Sequence, residues 1–333
     1  NPKQTIVIAL GDPAGIGMEV VLKALASPAM PRQLQPLLVG CRTSLLRTHQ
    51  RLQLQSDTAL ANPNELLIDD QPLAQPVEAG QPSEAGGDAG FQWLTQAVEQ
   101  LQTRGSRALV TAPIATHLWH AAGHVYPGQT ERLAELAGSQ RSSMLFTAIS
   151  PHTGWRLNTL LATTHIPLSS VPAALTPERL ERRLDQLEDF CRRFRQRPRL
   201  RVAGLNPHAG EAGQLGTEEQ RWITACLQAY QQRHNNLQLE GPVPPDTCWL
   251  GAAQAWNDSQ HVEEGCDGYL ALYHDQGLIP VKVLAFDQAV NTTLGLPFLR
   301  TSPDHGTGFD RAGQGSARGA SMLAAIDTAV ELG

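Results

Sequence analysis

An α/β protein with mainly parallel strands is the fold this sequence predicts, and three observations predict it. Short apolar runs alternate with amphipathic stretches from one end of the chain to the other. At 333 residues the chain is long for a single core and suits two packed lobes. A hydrophobic fraction of 41% with 17% charged residues, and no low-complexity bulk, places it among globular proteins.

Taken in order, the strands expected are Thr5–Leu10, Pro36–Val39, Leu66–Ile68, Ala108–Thr111, Ser143–Ile149, Arg156–Ala162, Leu200–Leu205, Gly268–Tyr273 and Val281–Phe286. The Pro/Gly/Gln stretch from Ala61 to Gly90 reads as surface connection with one short strand. Thr176–Phe194 is the clearest helix. Thr176 can cap it, Pro177 suits its first turn, and Leu180, Leu184, Leu187, Cys191 and Phe194 form one stripe. A second helix starts at Thr217, with Glu218 and Glu219 in its first turn and Trp222, Ile223, Cys226, Leu227 and Tyr230 on its apolar face. The last helix, about Ser316–Leu332, should pack back on the N-terminal lobe. Both chain ends would then share one lobe, with the middle of the chain in another and a cleft between.

The formal charge of −6 is spread along the chain, which leaves no basic stripe for nucleic acid. The arginines of 192–201 follow Glu178, Glu181, Asp185 and Glu188 and read as a solvated helix end. No run approaches the roughly 18 apolar residues of a membrane span, and Asn1-Pro2-Lys3 leads straight into a strand, so neither an anchor nor a signal peptide is expected. The five cysteines are scattered without a C-x-x-C pair, which points to a reducing, cytoplasmic setting; Cys191 and Cys226 read as core fillers.

Three stretches carry chemistry. Gly11-Asp-Pro-Ala-Gly-Ile-Gly17 follows a strand and precedes a helix, where glycines allow a sharp turn or the close approach of a ligand; it is not the dinucleotide fingerprint. His165, His208 and His274 each follow the end of an expected strand. Singly each is an ordinary loop histidine. Their shared placement, at the strand ends where ligands of open α/β folds gather, points to a divalent metal site. The run Asn291–Thr307 gathers an amide, Arg300, hydroxyls and His305. Arg300 supplies a planar fork and Lys282 a point charge for an anionic substrate.

These stretches together resemble the 4-hydroxythreonine-4-phosphate dehydrogenase family. The segments that carry the resemblance are Gly11–Gly17, Ala162–Leu168, Leu205–Glu211, Tyr273–Leu278 and Asn291–Gly306, in order along nearly the whole chain. The resemblance implies two α/β/α lobes with a central cleft, as in isocitrate and isopropylmalate dehydrogenases. The lobes expected are 1–127 with 292–333, and 128–291, the latter carrying metal ligands and dimer contacts. It implies NAD or NADP as cofactor, contacted by Asp304, His305, Gly306 and Thr307. One divalent metal per site (zinc, magnesium or cobalt) is implied in a homodimer, held by His165 and His208 of one subunit and His274 of the other. Gln129, Thr130, Lys282, Asn291 and Arg300 match positions that hold substrate. Two departures stand out: Gln129 replaces a histidine common in the family, and Thr116 a residue that is commonly basic. Gln129 can donate a hydrogen bond but can neither carry charge nor shuttle a proton.

The implied reaction is oxidation of 4-phosphooxy-L-threonine to 2-amino-3-oxo-4-phosphooxybutanoate, which loses CO2 to give 3-amino-2-oxopropyl phosphate on the way to pyridoxal 5'-phosphate. Lys282, Asp246 and solvent at the metal are the candidate bases. Two other readings fit the same residues: a dehydrogenase of another phosphorylated hydroxy acid, of the threonate or erythronate 4-phosphate type, and a metal-dependent hydrolase. A hydrolase has no use for the His305-Gly306-Thr307 loop.

Overall fold

In the computed structural model, residues 4–333 are described; the opening Asn1-Pro2-Lys3, expected to lead directly into the first strand, lies outside the described residues. The first half of the chain runs β1 (Gln4–Ala9), α1 (Gly17–Leu25), β2 (Leu34–Gly40), α2 (Arg42–Gln55), β3 (Leu67–Asp70), α3 (Glu84–Arg104), β4 (Ala108–Thr111), α4 (Thr116–Ala121) and α5 (Gln129–Leu136). It continues through β5 (Ser143–Ile149), β6 (Arg156–Leu161), α6 (Val171–Ala174), α7 (Pro177–Cys191), β7 (Arg199–Ala203), α8 (Thr224–Arg233), β8 (Gln238–Val243), α9 (Leu250–Asn257), β9 (Gly268–Ala271) and α10 (His274–Ala285). It closes with β10 (Val290–Leu294), β11 (Leu299–Pro303) and α11 (Ala320–Leu332). This is the mixed α/β architecture the alternation of patterns predicts.

The chain divides into two compact units, Asn1–Ser142 with Val290–Gly333, and Ser143–Ala289. Against the expected breaks after 127 and 291, the first unit keeps α5 and all of β10. Leu133 of α5 is part of the first core, and Arg132 lies over the Phe91 ring of α3 at 4.7 Å. Val290 and Asn291 pair with Pro303 and Ser302 of β11.

In the first unit the strands lie in the order β3-β2-β1-β4-β11-β10, parallel except for the β10–β11 hairpin. Ile6, Ile8, Leu37, Leu38, Leu109 and Val110 build its core together with α1, α3 and α11, so the last helix does pack on the N-terminal strands. In the second unit the order is β5-β6-β9-β7-β8, with only β5 antiparallel. As expected, Thr176 caps α7 through Arg179 N, and Leu180, Leu184, Leu187 and Cys191 are buried, while Phe194 stays partly exposed. All five cysteines are buried and none is joined in a disulfide. No helix among the described residues is long and apolar enough to cross a membrane.

Three expectations are corrected. Val281–Ala285 belongs to helix α10, with Phe286 capping its end, and no strand forms there. Gln276, Gly277, Leu278, Val281 and Ala285 face inward at helical spacing, whereas Ile279, Val283 and Phe286 stay exposed at 62%, 79% and 63%. With both faces apolar, the run carries no helical period for the eye to catch. The connection expected up to Gly90 is already α3 from Glu84. Gly86 and Gly87 sit inside that helix because a Cβ on Gly86 would meet the Asp12 carboxylate at 2.8 Å and one on Gly87 would strike the Leu118 carbonyl. The run Asn291–Thr307, read as a glycine- and proline-bounded stretch, opens as a hairpin turning at Gly295, whose φ of 83° suits glycine. β8, β10 and β11 are strands the sequence pattern does not reveal.

Candidate active site

The second unit assembles the histidines. β6, β9 and β7 are adjacent and parallel, so their carboxyl ends open on one edge of the sheet. His165 lies four residues past β6, His208 five past β7, and His274 begins α10 just after β9. The strand ends are tied sideways. Thr163 Oγ1 donates to the Leu272 carbonyl at 2.7 Å. Buried Gln276 accepts from Leu272 N at 2.7 Å and donates to the Gly204 carbonyl at 2.8 Å, linking the edge behind His274 to the edge before His208.

The rings of His165 and His274 lie 5.3 Å apart between centroids. Two imidazoles bound to one ion at about 2.0–2.1 Å have ring centres roughly 5 Å apart, so this spacing fits a shared ion. His274 Nδ1 meets the Asp275 carboxylate at 2.7 Å. A carboxylate there favours the proton on Nδ1 and leaves the Nε2 lone pair free, the arrangement usual behind a metal-bound histidine. His208 has a carboxylate of its own, Glu211, 3.5 Å from Nδ1. Its ring, however, is exposed, and among the described residues of the single chain no three metal-ligating side chains converge on one point. The chain brings two of the expected ligands together and carries the third on the same edge.

The His208 turn has unusual backbone. His208, Ala209, Glu211 and Ala212 all have positive φ, between 44° and 54°, with Gly210 at 88° among them. Left-handed conformation costs about 1–2 kcal/mol per non-glycine residue, so the turn persists only because its surroundings fix it. Such strain gathers at functional sites. Asp246 is exposed in the turn after β8, the strand beside β7. Lys282, two turns along α10 from His274, has its Nζ 5.9 Å from the Phe286 ring centre.

The first unit holds the other expected residues. Arg300 on β11 is only 4% exposed and donates to Thr111 Oγ1 at 2.9 Å and Thr293 Oγ1 at 3.2 Å. Burial pushes its guanidinium down to about 10, and Glu131 at the start of α5 opposes that shift. Two hydroxyls satisfy hydrogen bonds but do not balance a buried charge, which suits a side chain awaiting an anion. On the adjacent β10, Asn291 Oδ1 is buried without a hydrogen-bond partner. Gln129 opens α5 and donates to the Ala112 carbonyl at 3.2 Å; half-buried Thr130 follows it.

The loop Asp304–Thr307 is fixed onto the glycine-rich turn. Ile16 N donates to the Thr307 carbonyl at 2.8 Å, and a Cβ on Gly15 would lie 2.8 Å from the same oxygen. Farther along, Lys23 donates to the carbonyls of Gly315 and Ala317, and Gln55 to that of Gly313. Nothing lies within 4 Å of a Cβ placed on Gly306, and His305 Nε2 is buried without a partner. The glycine-rich segment therefore buttresses this loop. Asp12 beside it is buried, its carboxyl raised by desolvation against the pull of Ala14 N, with Oδ2 unpaired. Sequence reasoning missed Thr111, Thr293, Gln276 and Lys23, since their roles lie in long-range hydrogen bonds that no local pattern signals.

The family model for the pyridoxal phosphate biosynthetic protein PdxA matches residues 32–329. The chain belongs to this family. It is 78% identical over 98% of its length, and 99% of the relative's, to the 4-hydroxythreonine-4-phosphate dehydrogenase of Synechococcus sp. strain RCC307. Among solved structures it is similar to the 4-hydroxythreonine-4-phosphate dehydrogenase of Klebsiella pneumoniae, with a TM-score of 0.80, 34% identity and 99% of both chains covered. A terephthalate 1,2-cis-dihydrodiol dehydrogenase from Burkholderia xenovorans is more distant, with a TM-score of 0.64, 26% identity and 98% of both chains covered. The PdxA fold is the mixed α/β type of isocitrate and isopropylmalate dehydrogenases, as the resemblance implied.

Proposed function

We propose that this PdxA-family protein oxidises 4-phosphooxy-L-threonine with NAD or NADP to 2-amino-3-oxo-4-phosphooxybutanoate. That product loses CO2 to give 3-amino-2-oxopropyl phosphate, within cytoplasmic pyridoxal 5'-phosphate biosynthesis. The observation that carries this reading is the 78% identity, over nearly the whole chain, to a relative named for that activity. The side chains agree with it. Arg300, with Asn291 beside it on the hairpin, offers charge and hydrogen bonds to the substrate's anionic groups. Gln129 and Thr130 add neutral donors, and Lys282 a further charge. The unpaired His305 Nε2 and the open surface at Gly306 suit the adenosine end of a dinucleotide, with Asp304 and Thr307 framing them.

His165, His208 and His274 are the proposed ligands of one divalent ion, zinc, magnesium or cobalt. Three imidazoles, two of them backed by carboxylates, fit such an ion. When bound, it supplies Lewis acidity at the substrate's oxygens. Asp246 and Lys282 are the side chains proposed to take the hydroxyl proton.

We further propose a homodimer whose sites draw on both subunits. The exposed face Ile279, Val283 and Phe286 of α10, on the helix that begins with His274, gives a partner copy an apolar surface to cover. In this reading His274 serves the other subunit's site. The 5.3 Å approach of the His165 and His274 rings within one chain favours the alternative, in which both serve the same site. Mixing His165→Ala with His274→Ala subunits separates the two. With shared sites, one site of each mixed dimer keeps every ligand, so up to about half the wild-type rate per heterodimer should return. Verified subunit exchange without recovery would assign all three ligands to one chain.

The substrate assignment is tested with a panel of 4-phosphooxy-threonine, threonate 4-phosphate, erythronate 4-phosphate and a cyclic cis-dihydrodiol, each with NAD or NADP. Reduced nicotinamide should form fastest with 4-phosphooxy-threonine. A clear preference for another member would replace the substrate and leave the dehydrogenase class intact.

A further inference from the structure

We infer that Glu219 is the positioning residue that holds the His208 turn in its left-handed conformation and so sets where the imidazole stands. The inference rests on the reading of His208 as a metal ligand. From sequence, Glu219 looks like an acidic residue favouring the positive end of a helix, a role it could fill in solvent. It is instead buried, 3% exposed.

Its carboxylate spends itself on the strand end that leads to His208. Oε1 accepts from Leu205 N and Asn206 N, both at 2.7 Å, and Oε2 accepts from Asn206 Nδ2 at 2.9 Å. Three donors from two consecutive residues leave the segment entering the turn little freedom to rotate. The same carboxylate reaches the turn's interior, where a Cβ on Gly210 would lie 2.9 Å from Oε2 and 2.7 Å from the Gly216 carbonyl. Only glycine passes there. On the far side, a Cβ on Gly204 would lie 3.3 Å from Oε1, so the chain closes around this one side chain from both directions. Glu219 also begins a π-helical turn, Glu219–Ile223, before α8, a wider coil that often marks a functional position. Four left-handed non-glycine residues in five need an external restraint, and these hydrogen bonds supply it.

The test uses the full-length protein stripped of metal with chelator. Glu219→Gln keeps the volume and one acceptor but sets an amide NH2 against that of Asn206. In the metal-free variant the amides of residues 205–213 should exchange with deuterium about tenfold faster, with exchange around β6 and β9 unchanged. Co2+ titration, read from the ion's visible absorption bands, should show affinity lower by about tenfold, as for other groups that orient a metal ligand. A folded Glu219→Gln protein with wild-type exchange in 205–213 and wild-type Co2+ affinity would overturn the inference. Should that variant not fold, Asn206→Ala withdraws only the side-chain hydrogen bonds and should shift both readouts the same way by less; unchanged exchange there would also overturn it. The exchange readout needs no metal, so it stands apart from the ligand assignment. A His208→Ala protein that binds Co2+ like wild type would remove His208 from the ligand set and leave the exchange result to decide the role of Glu219.

Discussion

His165→Ala, His208→Ala and His274→Ala should each lose most of the bound divalent metal and lower turnover by more than about a hundredfold, while the protein stays folded. Losing an orienting carboxylate behind a metal ligand typically costs 10–100-fold, and losing the ligand itself costs more. His165 and His208 are exposed and His274 is only half-buried, so thermal stability should change little. Metal content by elemental analysis, with melting curves beside it, checks this. His208 is the sharpest case, because its ring stands exposed and is not gathered with the other two in the single chain. If His208→Ala kept its metal and its rate, the strained turn would have to serve something else, and the ligand set would shrink to the pair already in contact.

Arg300→Lys should lower catalytic efficiency by about 1.5–3 kcal/mol, the worth of charge-assisted hydrogen bonds, which is roughly 10- to 150-fold. The guanidinium uses its Nε on Thr111 and Nη1 on Thr293, so its fork is already oriented before any ligand arrives. A lysine ammonium in that buried position cannot satisfy both hydroxyls and a planar anion at once. The loss should appear with substrate while the melting temperature falls only modestly. Gln129→His should by contrast be mild: the amide already supplies a donor near the Ala112 carbonyl, and histidine is the residue common in the family. A silent Arg300→Lys beside a crippling Gln129→His would mean that the substrate is held in another way.

The sequence makes the frame legible because strand and helix periods survive wherever one face is buried and the other wet. α7 shows this well, with its Thr176 cap and leucine stripe. The histidine edge was legible for a related reason: each residue follows a recognisable apolar strand, and parallel neighbours must open on one side. α10 was not legible, since Ile279, Val283 and Phe286 make its outer face as apolar as its inner one. β10 and β11 escaped because buried Thr292, Thr293, Arg300, Thr301 and Ser302 give the hairpin the composition of a loop. Hydrogen bonds from Arg300 to Thr293 and from Thr301 to the Ala325 carbonyl offset part of that burial, while Thr292 Oγ1 is buried without a partner. Nor could any local pattern have shown that Glu219 reaches back to Leu205 and Asn206, or that Gln276 spans two strand ends. Such contacts exist only once the sheet has formed.

One assay on chelator-stripped protein tests whether the three histidines serve a metal-assisted dehydrogenase. The protein is given 4-phosphooxy-threonine with NAD or NADP, and reduced nicotinamide and free phosphate are followed together as divalent metal is added back. Almost no reduced nicotinamide should form before metal is added, recovery should be full near one equivalent per site, and no phosphate should be released at any stage. Phosphate appearing without reduced nicotinamide would make the protein a hydrolase, and an undiminished rate in the stripped protein would leave the three histidines without the role assigned to them.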